Sequence, residues 1–179
     1  RLYEACEAMD IPADTATSEG SPSQFEVNLM HQPDALKAAD DAWFFKLLVQ
    51  NLARDHGAAG SFMAKHYADY AGNGLHVHFS VLDSDGVNIF DERNEGGADL
   101  LGHAIAGCLK AMVGSTLIFA PHGSSYDRFV PGAHAPTAVS WAYENRTTAI
   151  RVPVGAPVAR RFEHRVAGGD INPYLLIAA

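Results

Sequence analysis

The stretch Arg160–Ala179, RRFEHRVAGGDINPYLLIAA, decides how the rest of the chain is read. If it begins as a strand, the period of two sends Arg161, Glu163 and Arg165 to one face and Phe162, His164 and Val166 to the other. A carboxylate between two guanidinium groups on a half-buried face is costly to leave unpaired. Charged groups from elsewhere in the chain are therefore expected over that face. The plain alternative is a solvated strand face with a lateral ion pair. Asn172-Pro173 then starts a helix with Pro in its first turn.

Working outward, a chain of 179 residues with 47% hydrophobic content can bury a real core of single-domain size. The formal net charge of -8 argues against nucleic acid or an anionic membrane as a partner. Cys6 and Cys108 lie far apart in helical patterns, which indicates no disulfide framework and favours a reducing, cytoplasmic setting. No apolar run reaches membrane-spanning length and no signal peptide opens the chain. The first residue is not Met and the last stretch reads as helix, so a piece of a longer chain is expected.

From the start, Arg1–Met9 reads as the end of a helix and Thr15–Ser23 as a loop. Gln24–His31 alternates cleanly, with Gln24, Glu26 and Asn28 on its polar side, and is expected to be a strand. Pro33 opens an amphipathic helix through about Asp55, closed by Gly57. Ala59–Tyr67 reads as a second strand and Leu75–Asp83 as a third, whose alternation places His76, His78 and Ser80 on one face. Asp83–Gly86 is a turn, Gly97–Gly114 a helix, and Ile118–Pro136 a long ordered loop of the kind that often carries function. The last strands are expected within Val139–Pro153 and Val158–Val166. The fold class is α+β: a curved, mainly antiparallel sheet with a polar working face, and the Pro33–Asp55 and Gly97–Gly114 helices on its other face.

Two sets of residues suggest chemistry. Glu19 with Glu26, His76 with His78, and Glu163 between arginines are groups that a hard divalent cation would use; Mg2+ and Mn2+ take carboxylate oxygens, and Mn2+ also an imidazole. Each alone reads more simply as a hydrogen-bonded or solvated strand residue, and only their recurrence on polar strand faces points to a site. The second set is Arg128, Arg146, Arg151, Arg161 and Arg165, in a region with no lysine after Lys110. Arg suits bidentate recognition of phosphate or carboxylate, and metal with convergent guanidinium groups is the apparatus of phosphoryl transfer. Arg146 and Arg151 would face opposite ways on a perfect strand, so either a bulge intervenes or they serve different ends. No phosphate-binding glycine loop occurs, so a nucleotide would be held by side chains and metal.

The motifs Glu19–Glu26 (EGSPSQFE), Gly72–Ser80 (GNGLHVHFS), Tyr126–Gly132 (YDRFVPG), Asn145–Pro153 (NRTTAIRVP) and Arg160–Leu175 occur in an order that resembles the catalytic domain of glutamine synthetase. The resemblance implies that Glu19 and Glu26 ligate one Mg2+ or Mn2+, and His76 with Glu163 a second. It implies that His78, Ser80 and Arg161 lie along the ATP site, that Gly72 approaches the amino acid, and that Arg128 and Arg165 bind glutamate carboxylates. Arg146 and Arg151 would steady the transferred phosphoryl group and the ADP phosphates. Glutamate, ATP and ammonia or a larger amine would be the substrates, and the parent enzyme a homo-oligomer. Three departures stand out: His134 where ammonia-using members have Glu, Ala71 for Asn before the turn glycine, and Pro22-Ser23-Gln24 for Pro-Gly-Gln. Glu163–Gly168 (EHRVAG), Pro131-Gly132-Ala133 and Trp141 with Asn145-Arg146-Thr147 resemble the gamma-glutamylpolyamine synthetase branch. The resemblance also implies that residues 1–179 are one partial catalytic domain. An amino-terminal domain and an upstream Glu-x-Glu motif are missing, and the piece alone would lack activity. A non-catalytic assembly module of the same fold and a guanidino kinase are the readings of other classes. The first has no reason to keep inward charges, and the second lacks the motif series.

Overall fold

Local sequence chemistry sets the helix boundaries in the computed structural model, which describes all residues from Arg1 to Ala179. After α1 (Leu2–Ala8), helix α2 (Ala35–Asp55) begins where the Asp34 carboxylate accepts from the amides of Leu36 and Lys37, with Pro33 one residue outside. It stops at His56 and Gly57, the latter at φ +70°. Helix α3 spans Gly97–Met112 and buries Leu101, Ile105 and Met112 along one stripe. A short α4 (Thr116–Phe119) runs into the segment expected as a long loop, and a 3-10 turn (Gly123–Arg128) lies within it. Helix α5 (Pro173–Ala178) is capped by Asn172 Oδ1, which accepts from the amides of Tyr174 and Leu175.

Four strands make the main sheet, in the order β3 (Val77–Phe79), β6 (Phe162–His164), β5 (Ile150–Val152) and β4 (Trp141–Tyr143). The pairs β3–β6 and β6–β5 are antiparallel and β5–β4 is parallel, so the sheet is mainly antiparallel and the fold α+β. Register places His78 and Arg151 on either side of Glu163, in one row on one face. The opposite face carries Val77, Phe79, Phe162, His164, Ile150 and Val152 into the core, where Leu101, Ile105, Met112, Phe90 and Phe119 meet them. A separate two-stranded ribbon is formed by β1 (Ala13–Ser18) and β2 (Phe25–Leu29). No helix is long and apolar enough to cross a membrane.

Several expectations are corrected. The stretch Ala59–Tyr67 is not a strand: its carbonyls are taken by a loop, with Ala64 O accepting from Asn73 N and Met63 O from the Asn73 side chain. Its apolar residues register the burial of Ala64 rather than a sheet face. Thr15–Ser18, the first part of the expected Thr15–Ser23 loop, is strand; β1 shows no alternation because nearly all of it is exposed, and it forms through pairing with β2. The Leu75–Asp83 strand shrinks to three residues. Helix α3 covers the sheet, whereas α2 packs chiefly on α5 and α1 and contributes nothing to the main core. Consequently Leu36, Trp43 and Leu47 on the apolar side of α2 stay largely exposed.

Candidate active site

Because Glu163 stands mid-strand in β6 with neighbours in register on both sides, its carboxylate is reached from three strands and is only 3% exposed. Its Oε1 accepts from Arg165 NH1 at 2.5 Å and lies 3.2 Å from His76 Nδ1 and 3.9 Å from His78 Nε2. Its Oε2 has Arg151 NH1 at 2.9 Å, yet without the alignment of a hydrogen bond. Burial alone would push this carboxyl up; the His76 hydrogen bond and the Arg165 charge outweigh it and hold it at about 2.

Both imidazoles on this face are neutral. Burial depresses His76, and the Arg165 charge adds to that depression against the pull of Glu163. With its proton on Nδ1, His76 donates to Glu163 and keeps a lone pair on Nε2. Arg165 NH1 is 3.4 Å from the same Nδ1, but its short bond goes to the carboxylate. His78 is pushed down to about 4 by burial and then by Arg161 and Arg151, against Glu163. Arg161 Nε donates to His78 Nδ1 at 3.1 Å, which sets the His78 proton on Nε2, toward Glu163.

Arg165 is 3% exposed and serves as a hub. Besides Glu163, it donates from Nε to Arg146 O at 3.2 Å and from NH2 to His134 O at 3.5 Å. One guanidinium thus fixes the segment bearing His134 and the loop bearing Arg146. Arg146 sits in that loop before β5, held by Asn145 Oδ1 accepting from Thr147 N, while Arg151 is within β5. The two therefore differ in element, and no bulge is needed to explain their spacing. Arg128, 4% exposed, donates from NH1 to Val166 O at 2.7 Å and from NH2 to Arg165 O at 3.2 Å. Burial, reinforced by Arg165, lowers it to about 10. The approach of Arg128 and His76 requires glycine: a Cβ at Gly72 would stand 2.5 Å from Ala64 O, and one at Gly74 would stand 2.7 Å from His76 Nε2.

Of the sequence-predicted residues, the structure brings together His76, His78, Arg151, Arg161, Glu163 and Arg165, with Gly72 and Arg128 adjoining. Ser80, His134 and Arg146 are exposed around this cluster. Glu19 and Glu26 are exposed on the β1–β2 ribbon, and no three His, Cys, Asp or Glu side chains gather as a preformed metal cage. The donor types nonetheless suit a divalent cation. Glu163 Oε2 is buried without a hydrogen bond, and the free His76 nitrogen lies beside Gly74. Carboxylate oxygen and neutral imidazole are donors such a cation accepts. Five arginines around one carboxylate leave the site cationic in a chain of net charge -8, which suits anionic substrates.

Sequence reasoning missed the buried Ser125, whose Oγ donates to Asp170 Oδ2 at 2.5 Å and ties the 3-10 turn ending in Arg128 to the entry of α5. No local pattern signals a contact across that separation. His164, sent by the alternation to the face opposite Glu163, turns from the site into the core against Phe119, ring centroids 4.6 Å apart. Its Nδ1 is buried without a partner, and burial, then His76, pushes it down to about 4. A folded value below the ordinary 6.5 means stability is full above 6.5 and is lost as pH falls toward 4. His164→Leu should flatten that loss and raise stability at pH 5 by roughly 1–3 kcal/mol, since it removes an unsatisfied buried polar atom. Urea unfolding at pH 7 and pH 5 in metal-free protein checks this; an unchanged slope contradicts it.

Comparison with known proteins follows the same lines. The family described as glutamine synthetase, catalytic domain, matches residues 1–179. Gamma-glutamylputrescine synthetase of Escherichia coli is 43% identical over 178 residues, covering 99% of this chain and 38% of that protein. Gamma-glutamylethanolamide synthetase of Streptomyces coelicolor is 41% identical over 178 residues, covering 99% and 38%. The cryo-EM structure of Plasmodium falciparum glutamine synthetase shares the fold, with a TM-score of 0.90 over 99% of this chain and 35% of that one, at 24% identity. This chain thus spans under two-fifths of the length of the curated relatives named here.

Proposed function

The chain belongs to the family of glutamine synthetase catalytic domains, and from that premise we propose that the whole protein is a ligase joining glutamate to an amine, driven by ATP. The observation that carries this reading is the buried Glu163 carboxylate meeting His76, Arg151 and Arg165 on one sheet face. In the first step a γ-carboxylate oxygen of glutamate attacks the terminal phosphorus of ATP. The O–P bond forms as the bond to ADP breaks, giving γ-glutamyl phosphate. The amine nitrogen then attacks the acyl carbon, the C–O bond breaks, phosphate leaves, and the His134 imidazole takes the proton released from nitrogen.

In this scheme Arg146 and Arg151 steady the phosphoryl oxygens, His78, Ser80 and Arg161 lie along the nucleotide, and Gly72 admits the amino acid close to the backbone. Arg128 and Arg165 hold the glutamate carboxylates with the N–H groups left over from their backbone contacts. Mg2+ or Mn2+, held by Glu19, Glu26, His76 and Glu163, would neutralise phosphate charge. We place the reaction in the cytoplasm, in a homo-oligomer; exposed Trp141 and Tyr143 on edge strand β4 offer apolar surface for further packing.

The acceptor is proposed to be larger than ammonia, because relatives of this chain are named for putrescine and ethanolamide products and His134 is a poorer cage for ammonium than a carboxylate. Phosphate release by the full native protein, measured with ammonia, putrescine and monoamines, tests both parts. A larger amine should exceed ammonia. Preference for ammonia would reassign the acceptor, and no glutamate-dependent release with any amine would remove the ligase reading.

A further inference from the structure

Asn73, between the two close-packed glycines, has each of its backbone and side-chain polar atoms engaged by another segment. Its Oδ1 accepts from Gln24 Nε2 at 2.6 Å and its Nδ2 donates to Met63 O at 2.8 Å. Its backbone N donates to Ala64 O at 2.8 Å, and its backbone O accepts from Gly169 N at 2.9 Å. Gln24 is equally committed: Nε2 also donates to Gly72 O at 3.0 Å, and Oε1 accepts from Ser21 N at 3.0 Å. Ser21 Oγ adds a bond to Ala71 O at 2.7 Å.

These ties have a particular consequence. Glu19 and Glu26 ride on a two-stranded ribbon, a unit that is marginal without outside support. His76 and Glu163 belong to the main sheet region. Side-chain bonds from Ser21 and Gln24 link residues 19–26 to the turn that leads into His76. We propose that Asn73 is a positioning residue, its amide shared between Gln24 and Met63 so as to hold the acidic ribbon in fixed register with the Gly72–His76 turn. The proposal rests on the reading of these carboxylates and of Gly72 as parts of one metal and glutamate site. Ligands at such a site have to be held to within about half an ångström, which two flexible segments cannot do alone.

In the full native protein, Asn73→Ala should raise both the glutamate KM and the Mn2+ dissociation constant about tenfold, the scale of a small misplacement of bound groups. Its kcat should change by less than about threefold, as expected when binding geometry rather than transition-state contact is lost. Amide hydrogen exchange at residues 19–26 should quicken. Gln24→Ala combined with Asn73→Ala should be no worse than Gln24→Ala, because the same tie is broken. Should Asn73→Ala not fold, Asn73→Asp keeps the acceptor for Gln24 while opposing Met63 O, and should show the same changes in smaller measure. Wild-type KM, Mn2+ affinity and exchange, with only a lowered melting temperature, would overturn the proposal. If the unsubstituted protein turns over no glutamate, the ligase reading fails by itself. Exchange at 19–26 then decides on Asn73, unchanged rates overturning it.

Discussion

Replacing Glu163 with Gln is expected to destabilise the metal-free protein by about 3–5 kcal/mol, the cost typical of breaking a buried ion pair from one side. The reason lies in what is left behind. Arg165 and Arg151 both point at this carboxylate, and Arg165 is 3% exposed, so its charge would stay buried without its main counter-ion. The amide nitrogen of Gln would also oppose the guanidinium donors or the His76 N–H. Denaturant unfolding at pH 7 measures the loss; a change under 1 kcal/mol would show that water, not Glu163, balances these cations. The effect carries a pH signature. The folded carboxyl titrates at about 2 against an ordinary 4.5, so its contribution is complete above 4.5 and disappears as pH falls toward 2. The substituted protein should lose less stability across that window than the parent.

Arg165→Lys should lower kcat/KM of the full native protein on the order of a hundredfold, although it keeps the charge. A planar fork with donors at NH1, Nε and NH2 reaches Glu163, Arg146 O and His134 O together. A single ammonium can satisfy the carboxylate but not both carbonyls on diverging loops. The segments carrying His134 and Arg146 would then drift independently, and the phosphoryl and acceptor sides proposed for them would lose their alignment. Steady-state rates with the preferred amine check this. Wild-type kcat/KM would mean that Arg165 acts only as a local counter-ion.

The working face was readable because its elements obey local rules. Alternation in Arg161–Arg165 holds in β6, Pro33 and Asn172-Pro173 announce α2 and α5, and the small apolar stripe of α3 finds the core. What escaped obeys no local rule. Strand β1 exists through its partner, since its own side chains face solvent on both sides. The 59–67 segment buries Ala64 and meets Gly72 through the Ala64 carbonyl, without pairing as a strand. The arginines were legible as a set on the working side of the sheet, but not the share of their hydrogen bonds spent on carbonyls, which depends on residues far away in sequence. Glu19 and Glu26 were legible as exposed carboxylates, yet the bonds that tie their ribbon to the Gly72–His76 turn through Gln24 and Asn73 are not encoded by periodicity.

The bond from Arg128 NH2 to the carbonyl of Arg165 ties one guanidinium to the main chain of the residue that carries the other, whose own fork is held by the carbonyls of Arg146 and His134. On the proposed reading these groups grip opposite ends of a dicarboxylate, so the span between the grips is set by side chains pinned to backbone carbonyls and not by two swinging ones. Such a site behaves as a fixed gauge. Aspartate, one methylene shorter, can seat one end only, and lengthening either side chain does not restore the fit. Discrimination by substrate length therefore belongs to the backbone, whose residues an inventory of contact side chains would pass over.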